Sequence, residues 1–247
     1  MKKGSLIISI ALSVLFFSCH TSYNPQSLEY TGYQVKQQPI TDSSLVNMLR
    51  PYSTRLQASM GQVIGQVAVN LEKRQPEGTL GNVMADAMLQ RARASYGKHV
   101  DAAFMNYGGI RLTQIPQGPL TLGKLYELSP FDNIVVLLSI RGNVFRQFLD
   151  HIAGRGGWPV SGMKMEISNN RSANVTIDGK PLNDDAQYTI AVLDYNANGG
   201  DDCTMLKGLP QQNNGIIFRD ELQAYFTQLQ KEGKSITARV EGRVIKN

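Results

Sequence analysis

Apolar residues recur with a helical period in the first half of the chain. The helix predicted over residues 80–96 has apolar positions three and four residues apart, and Thr79 precedes it as a cap. Residues 142–153 show the same spacing, with Phe145 and Phe148 on the side predicted to be buried. The shorter elements predicted in this half are strands over 62–71, 101–106 and 133–140 and a helix over 121–127.

The second half of the chain is richer in strand patterns. Residues 219–232 are a predicted amphipathic helix, and Asp178-Gly179 is a strong signal for a hairpin turn. The strands predicted here cover 161–167, 174–177, 187–193 and 235–245. Because helices and strands do not alternate regularly, we expect an α+β fold, with mixed sheets and packed helices, in one domain over residues 46–247.

The amino-terminal pattern predicts an export signal. Residues 6–17 are an apolar run, broken only by two serines and without a charge, behind Lys2 and Lys3, and Ser18 precedes Cys19. The run would rise only about 18 Å as a helix, well short of a hydrocarbon core of about 30 Å. We expect a signal over 1–18 with lipidation of Cys19; the alternative is an ordinary cleaved signal with an incidental cysteine.

The segment that follows predicts a protein held at a membrane. Residues 19–45 are polar, include Pro25 and Pro39, and are expected to form a tether. The protein is therefore predicted to be exported and lipid-anchored to a bacterial membrane, on the periplasmic or cell-surface side. The lipid anchor is the only membrane contact expected.

Composition and charge narrow the function classes. About 42% of the residues are apolar, which suits a globular domain with a substantial core. The net charge of +5 includes Lys2 and Lys3 of the predicted signal, and no dense Lys/Arg run occurs, so nucleic-acid binding is not expected. The two cysteines, Cys19 and Cys203, have neither a disulfide framework nor a metal-binding spacing.

The sequence offers no self-contained catalytic centre. Phosphate-ester hydrolysis usually needs metal ions or an activated nucleophile. The three histidines, His20, His99 and His151, have no second histidine at ligand spacing, and no G-x-S-x-G motif occurs. We therefore expect no catalytic residue, no metal site and no bound cofactor in this chain.

Two Asn- and Gly-rich segments carry the candidate chemistry. In residues 106–111 (NYGGIR), an amide, two glycines and an arginine end a predicted strand, although a tight turn with a surface arginine is the simpler interpretation. A similar order of strand, Asn and double Gly follows residue 192, with Tyr195 and Asp201 nearby. Phe131 precedes another strand, so two aromatic side chains could hold a flat base between them.

Six ordered blocks together resemble a known family. They are Leu80–Asn82, Asn106–Arg111, Leu128–Asn133, Val160–Gly162, Gly179–Leu182 and Asn196–Asp201. Over about residues 60–210 the chain resembles the carboxy-terminal domain of the 5′-nucleotidase / UDP-sugar hydrolase family. The resemblance implies that this domain binds the nucleoside part of a nucleotide.

The resemblance implies where the base would bind. Phe131 and Tyr195 match the two aromatic residues that enclose the nucleoside in the family. Asn133 matches a residue that hydrogen-bonds the base, and Gly162 matches a position that lines the pocket. A tyrosine in place of the usual phenylalanine at position 195 keeps the stacking face and adds a hydroxyl group.

The resemblance also implies polar contacts to the ribose and phosphate. Asp201 matches the carboxylate that accepts hydrogen bonds from the ribose hydroxyls. Asn106 and Arg111 match residues that contact ribose and phosphate, and Arg74 matches an arginine with the same role. Together with the base-binding positions, these make eight predicted substrate-binding residues.

The resemblance leaves the hydrolytic step to another chain. Family members usually carry an amino-terminal metallophosphatase domain with two metals, and we expect a separate metallophosphatase subunit to supply those divalent metals. Tyr107, Asp132 and the pair Asp202-Cys203 depart from the family pattern at the pocket rim. Two alternatives remain at this point: a nucleoside- or nucleotide-binding lipoprotein without a catalytic partner, and an inert scaffold.

Overall fold

The computed structural model describes residues 42–247. Its α-helices are α1 (Ser43–Met60), α2 (Thr79–Tyr96), α3 (Leu122–Leu128), α4 (Gly142–Gly154), α5 (Asp194–Ala197) and α6 (Phe218–Lys231). Its strands in the first half are β1 (Val63–Val67), β2 (Leu71–Glu72), β3 (Ala102–Phe104), β4 (Gln114–Ile115), β5 (Gly118–Thr121) and β6 (Ile134–Arg141). Those in the second half are β7 (Val160–Ser161), β8 (Met163–Ser168), β9 (Arg171–Ile177), β10 (Lys180–Pro181), β11 (Gln187–Leu193), β12 (Gln211–Ile217) and β13 (Val244–Lys246).

A five-stranded mixed sheet forms the centre of the fold. Its strand order is β12-β6-β11-β3-β7. Strand β11 runs antiparallel to β6 and parallel to β3, with Ile190 opposite both Leu138 and Ala102. Alternate side chains leave a strand on opposite faces, so each of these apolar strands contributes to two cores.

The two cores lie on opposite faces of this sheet. On one face, Leu137 and Leu193 pack with α2, α6 and β1. On the other, Val136 and Val192 pack with α4 and with strands β8 and β9. Burial on both faces explains why β6 and β11 are almost continuously apolar.

A second sheet covers α4. Its strand order is β10-β9-β8-β13, and β13 pairs parallel with β8. Asp178 and Gly179 join β9 to β10 with positive φ angles of 53° and 75°. Both central residues of a type I′ turn need positive φ, so the predicted hairpin turn is confirmed.

The predicted α+β fold with mixed sheets and packed helices is confirmed, and differences remain at several segments. Strand β12 was not predicted because its residues are polar and exposed at the edge of the sheet, which leaves no alternating pattern. The strand predicted over 62–71 is interrupted between β1 and β2. Of the strand predicted over 235–245, only the last two residues lie in β13, and Ile236 makes an isolated bridge with Val67.

Helix α1 begins inside the predicted tether and was also not predicted. Asp42 caps it: its Oδ1 accepts hydrogen bonds from the backbone N–H groups of Ser44 and Leu45, at 2.9 and 3.2 Å. The predicted signal, the lipidated Cys19 and most of the tether lie outside the described residues. No helix within residues 42–247 combines the length and the apolar content needed to cross a lipid bilayer.

Candidate functional site

The strand pairing brings three loops to one edge of the central sheet. Because β3 and β11 are parallel neighbours, the segments that follow Phe104 and Leu193 leave the sheet at the same edge. Strand β6 is antiparallel to β11, so the segment that precedes Ile134 lies at that edge too. The two similar Asn- and Gly-rich segments of the sequence are therefore neighbours in space.

These three loops enclose a cleft of about 310 Å³. It is lined by Asn106, Gly108, Gly109, Arg111, Phe131, Asn133, Tyr195 and Asp201. Two larger hollows, of about 430 Å³ each, lie on α6 and between α2 and α6. Among these three hollows of the described residues, only the 310 Å³ cleft brings aromatic and polar side chains from separate loops together. Six of the eight predicted substrate-binding residues line this single cleft.

Asp201 is the centre of the polar side of the cleft. Its Oδ2 accepts a hydrogen bond from Asn106 Nδ2 at 2.7 Å, and its Oδ1 accepts one from the Tyr195 hydroxyl at 3.2 Å. The Tyr195 hydroxyl in turn accepts a hydrogen bond from the Asp201 backbone N–H at 3.2 Å. Tyr195 and Asp201 therefore hold each other, and the carboxylate keeps lone pairs for a ligand donor.

Asn106 carries an acceptor with no partner. The residue is 5% exposed, and its Oδ1 makes no hydrogen bond with any residue that the structure describes. Such buried groups are uncommon, and one that lines a cleft is a candidate ligand contact. A Cβ atom at Gly109 would come within 2.6 Å of this Oδ1, so the second glycine of the NYGGIR segment makes room for the amide.

The backbone around Asp201 is held in an uncommon conformation. Asp201 and Asp202 have φ angles of 50° and 58°, in the left-handed region that residues with a Cβ atom rarely adopt. His151 Nε2 lies 2.8 Å from the Asp201 carbonyl oxygen, and Arg155 pairs with Asp202 at 2.5 Å. His151 lies in the last turn of α4 and Arg155 directly follows it, so the carboxy-terminal end of α4 contacts and supports the loop that contains Asp201 and Asp202. Neither His151 nor Arg155 lies in a sequence motif that indicated this role.

The two predicted aromatic residues are partly open to solvent in the cleft. Phe131 is 43% exposed and Tyr195 is 47% exposed. Asp194 connects their loops, because its Oδ1 accepts hydrogen bonds from the backbone N–H groups of Ile134 and Tyr195, at 3.0 and 2.9 Å. A Cβ atom at Gly200 would lie 2.5 Å from the Tyr195 ring, so the first residue of the 200–202 turn must be small.

A buried arginine fixes the loop that carries Phe131. Arg219, at the start of α6, donates hydrogen bonds to the carbonyl oxygens of Ser129 and Phe131, both at 3.4 Å, and to Asp132 at 2.5 Å. Its guanidinium lies 4.2 Å from the ring centre of Tyr126. Burial by itself would lower the pKa of Arg219, but the hydrogen bond to Asp132 and the neighbouring groups raise it above its ordinary value. No motif in the sequence indicated this role.

Two cations lie near each other, and one of them, Arg111, lines the cleft. Arg111 lies 5.7 Å from the ring centre of Phe131. Lys73 lies 4.1 Å from the ring centre of Tyr107 and donates a hydrogen bond to the Ile110 carbonyl at 2.8 Å. Partial burial, and then the positive charge of Arg111, lower the pKa of Lys73. Neither cation forms an ion pair with a carboxylate in the described part of the chain, so the cleft is suited to an anionic group beside Arg111.

Two of the eight predicted residues do not line this cleft. The Arg74 side chain is 70% exposed and pairs with Glu72 at 2.6 Å. Gly162 lines another hollow, beside Thr176 and Arg243. Its φ of 84° and the 2.2 Å that would separate a Cβ atom from the Asp101 carbonyl oxygen explain the glycine by the backbone alone. Sequence order could not reveal these positions, because strand pairing decides which loops meet.

Metal ligands are not assembled in the described residues. Within residues 42–247, no group of three or more His, Cys, Asp or Glu side chains is placed to hold a metal ion. His151 contacts a backbone carbonyl, and His99 lies 3.2 Å from Asp101 on the surface.

Comparisons with known proteins identify the family of this chain. A model of the family described as "5′-nucleotidase, C-terminal domain" matches residues 63–208. A 5′-nucleotidase of Vibrio vulnificus is 30% identical over 195 residues, and the match covers 74% of this chain and 34% of that protein. Protein UshA of Yersinia enterocolitica is 28% identical, with the same coverage of both chains. This chain thus spans about a third of the length of these relatives.

A solved structure supports the same assignment. The 5′-nucleotidase precursor of Thermus thermophilus matches with a TM-score of 0.71 and 29% identity, over 83% of this chain and 43% of that one. The resemblance of the six sequence blocks is confirmed by both kinds of comparison. The chain belongs to the family of 5′-nucleotidase carboxy-terminal domains.

Proposed function

We propose that the cleft binds the nucleoside part of a nucleotide, as the recognition part of a 5′-nucleotidase-type phosphoester hydrolase. The observation that carries the proposal is that the Asp201 carboxylate lines the same cleft as two exposed aromatic residues. Phe131 and Tyr195 offer flat faces for a base, and stacking of a base on one aromatic side chain contributes about 1–3 kcal/mol. The Asp201 carboxylate is suited to accept hydrogen bonds from the vicinal hydroxyls of a ribose.

The remaining cleft residues fit the rest of such a ligand. The Asn106 Oδ1, without a partner among the described residues, would accept a hydrogen bond from a ligand donor. Asn133 at the cleft wall carries both a donor and an acceptor for a base edge. Arg111, with Lys73 nearby, gives the cleft a positive end where a phosphate group would bind.

In this proposal the phosphate ester is hydrolysed elsewhere. A separate metallophosphatase subunit would supply two divalent metals, because two-metal sites stabilise the attacking and leaving oxygens of phosphate esters. This chain spans 34% of the length of the relatives named 5′-nucleotidase, which leaves room for the hydrolytic part in the remainder of such proteins. The residues of this chain would orient the nucleotide and bind its nucleoside end.

Calorimetric titration of the full-length chain with adenosine, AMP and UDP-glucose tests the recognition role. We expect saturable binding of at least one ligand, and a loss of about 5- to 150-fold in affinity for Phe131→Ala or Tyr195→Ala, from the stacking energy. Tyr52→Ala is the matched control, because Tyr52 is an exposed aromatic residue in α1, outside the cleft. Equal losses in all three variants, or no binding of any ligand by the parent chain, would contradict the proposal.

A second measurement separates the alternatives. The chain is mixed with a metallophosphatase from the same organism, and phosphate release from AMP is followed. Faster turnover with the parent chain, but not with Tyr195→Ala, supports a recognition subunit. Tight nucleoside binding with no effect on any hydrolase indicates instead a nucleoside- or nucleotide-binding lipoprotein, and absence of binding indicates a scaffold.

We also propose that the protein is exported and anchored by lipid on Cys19, on the periplasmic or cell-surface side. The apolar run over residues 6–17 and the Ser18-Cys19 pair support this proposal. Metabolic labelling with radioactive palmitate in a bacterial host should label the parent chain and not Cys19→Ala. Equal labelling of the two proteins would contradict lipidation at this residue.

A further inference from the structure

Helix α1 has no buried side. None of the residues from Ser43 to Met60 is buried, and Pro51 lies inside the helix. An isolated helix of this length is marginal in water, and an internal proline removes one of its hydrogen bonds and costs about 3 kcal/mol or more. A helix of this kind is usually stabilised by packing of its apolar side, so α1 needs a surface to bind.

Six large apolar residues of α1 are exposed, and five of them lie on one side of the helix; Leu45 lies among the four named next, and Val46 lies about 60° beyond Leu49. Met48, Leu49, Tyr52 and Leu56 are between 49% and 72% exposed. At about 100° per residue, these four positions fall within a sector about 100° wide. We call these four residues the apolar face of α1. Thr54 lies on the opposite side of the helix.

The charges of α1 are all positive. Arg50 and Arg55 are its two charged residues, and no acidic residue occurs between Ser43 and Met60. Arg55 lies about 20° from Met48 around the helix, and Arg50 lies about 100° beyond Leu49 in the other direction. Long basic side chains on either side of an apolar sector can extend their charges toward polar groups while the sector is buried.

We propose that α1 binds the surface of an anionic lipid bilayer through its apolar face. Helices that lie in a membrane interface combine an apolar sector with basic residues, and their affinity sums buried apolar area and attraction to anionic lipids. A seam between two copies of α1 fits less well, because each helix would bring two arginines and no carboxylate to pair with them. Lipid phosphates supply the complementary charge.

The order of segments along the chain suits this binding. Residues 18–42 separate α1 from the apolar run over 6–17, and such a segment spans at most about 85 Å when fully extended. If the amino terminus is held at a membrane, α1 remains within reach of the same surface. The binding proposed for α1 does not depend on the nucleotide cleft, because none of its residues lines that cleft.

A tryptophan placed on α1 reports its environment in the full-length chain. The chain has one tryptophan, Trp158, which is buried in the core and supplies a constant background. In Tyr52→Trp, vesicles of phosphatidylcholine with phosphatidylglycerol should shift the emission to shorter wavelength, and brominated phosphatidylcholine should quench it. The matched control is Thr54→Trp, which should stay unshifted and unquenched because it faces away from the bilayer. This comparison is local to α1, so insertion of residues 6–17 does not imitate it.

Replacement of the two arginines of α1 provides a second test of the proposal. The equilibrium constant for insertion of Tyr52→Trp should fall about fivefold for each arginine replaced by glutamine, and about 30-fold in Arg50→Gln/Arg55→Gln. Vesicles of phosphatidylcholine alone should show no such difference. Equal responses at positions 52 and 54, or a concentration-dependent shift of Tyr52→Trp without vesicles, would overturn the proposal, the second outcome indicating a contact between copies.

Discussion

Asn106 donates a hydrogen bond from Nδ2 to Oδ2 of Asp201 at 2.7 Å, although 95 residues separate them in the sequence. Each residue follows a strand of the central sheet, and the parallel pairing of β3 with β11 places both at one edge. The hydrogen bond orients the Asp201 carboxylate, and the other atom of the Asn106 amide group, Oδ1, has no partner among residues 42–247. The candidate site depends on this pair.

Removal of the Asn106 amide should weaken both the fold and ligand binding. In Asn106→Ala, Asp201 loses a hydrogen-bond donor, and we expect the free energy of unfolding to fall by about 1–3 kcal/mol in urea titrations. Asn247→Ala is the control, because Asn247 makes a similar bond, to Glu166 at 2.9 Å, at an exposed position. A loss no larger than that of the control would contradict the assigned role of Asn106.

A methyl group at Gly200 should displace the Tyr195 ring. The new Cβ atom would lie 2.5 Å from that ring, closer than any ordinary contact. We expect Gly200→Ala to reduce nucleoside affinity in calorimetry about as much as Tyr195→Ala does. The control is Gly154→Ala, where the nearest atom is 3.7 Å from the added Cβ. Unchanged affinity in Gly200→Ala would show that the ring position is not needed.

Replacement of Arg219 should release the loop that carries Phe131. Arg219→Met removes the hydrogen bonds to Ser129, Phe131 and Asp132 at a site that is almost fully buried. We expect a loss of about 2–4 kcal/mol in the free energy of unfolding, because hydrogen bonds to charged groups contribute more than neutral ones. The same calorimetric titration should show weaker nucleoside binding.

Arg141→Met is the control for this variant. Arg141 pairs with Asp185 at 3.1 Å with its side chain 59% exposed, and such exposed pairs contribute at most about 1 kcal/mol. If Arg219→Met is as stable and binds as well as Arg141→Met, the loop is held by other contacts.

His151 should act as a positioning residue for Asp201. His151→Ala removes the contact to the Asp201 carbonyl, and we expect the left-handed conformation of Asp201 and Asp202 to lose support. The replacement should weaken only the contacts to the nucleoside, which adenosine and AMP have in common. The affinities of adenosine and AMP should therefore fall by the same factor. The replacement His99→Ala, on the surface, is the control. Different factors for adenosine and AMP would place His151 near the phosphate.

Cys203 should be unreactive in the folded protein. Burial, followed by the negative charge of Asp201, raises the pKa of its thiol from 9.0 to about 12. In a Cys19→Ala background, we expect no reaction with a disulfide reagent at pH 8 until guanidinium unfolds the chain. Rapid reaction without denaturant would show that the core beneath the 200–202 turn opens.

The same pKa shift predicts a loss of stability at high pH. The unfolded thiol ionises near pH 9.0, whereas the folded thiol retains its proton until about pH 12. The contribution of the protonated thiol to the free energy of unfolding is therefore complete below pH 9 and is lost as the pH rises from 9 to about 12. Urea titrations between pH 8 and pH 11 should show a steeper decline for the parent chain than for Cys203→Ala.

The sequence predicted those elements whose buried residues form a pattern within the element itself. Helices α2, α4 and α6 occupy the predicted segments because each buries one stripe of a regular pattern, and strand β11 does so because it contains a short apolar run that is buried on both faces. The exposed strand β12 has no buried face and gave no such signal. Helix α1 was not predicted although its apolar face has helical spacing, because Pro51 interrupts the pattern.

The fold class, the resemblance to the family and, through that resemblance, six residues of the cleft could be predicted from the sequence. Glycines in the ordered blocks can be recognised because backbone geometry restricts those positions. The tertiary structure alone decided that Arg219 and His151 support the cleft and that Arg74 and Gly162 lie elsewhere. Strand pairing and packing on both faces of the central sheet decide which residues far apart in the sequence become neighbours. A pattern within a short stretch of sequence contains no information about such contacts.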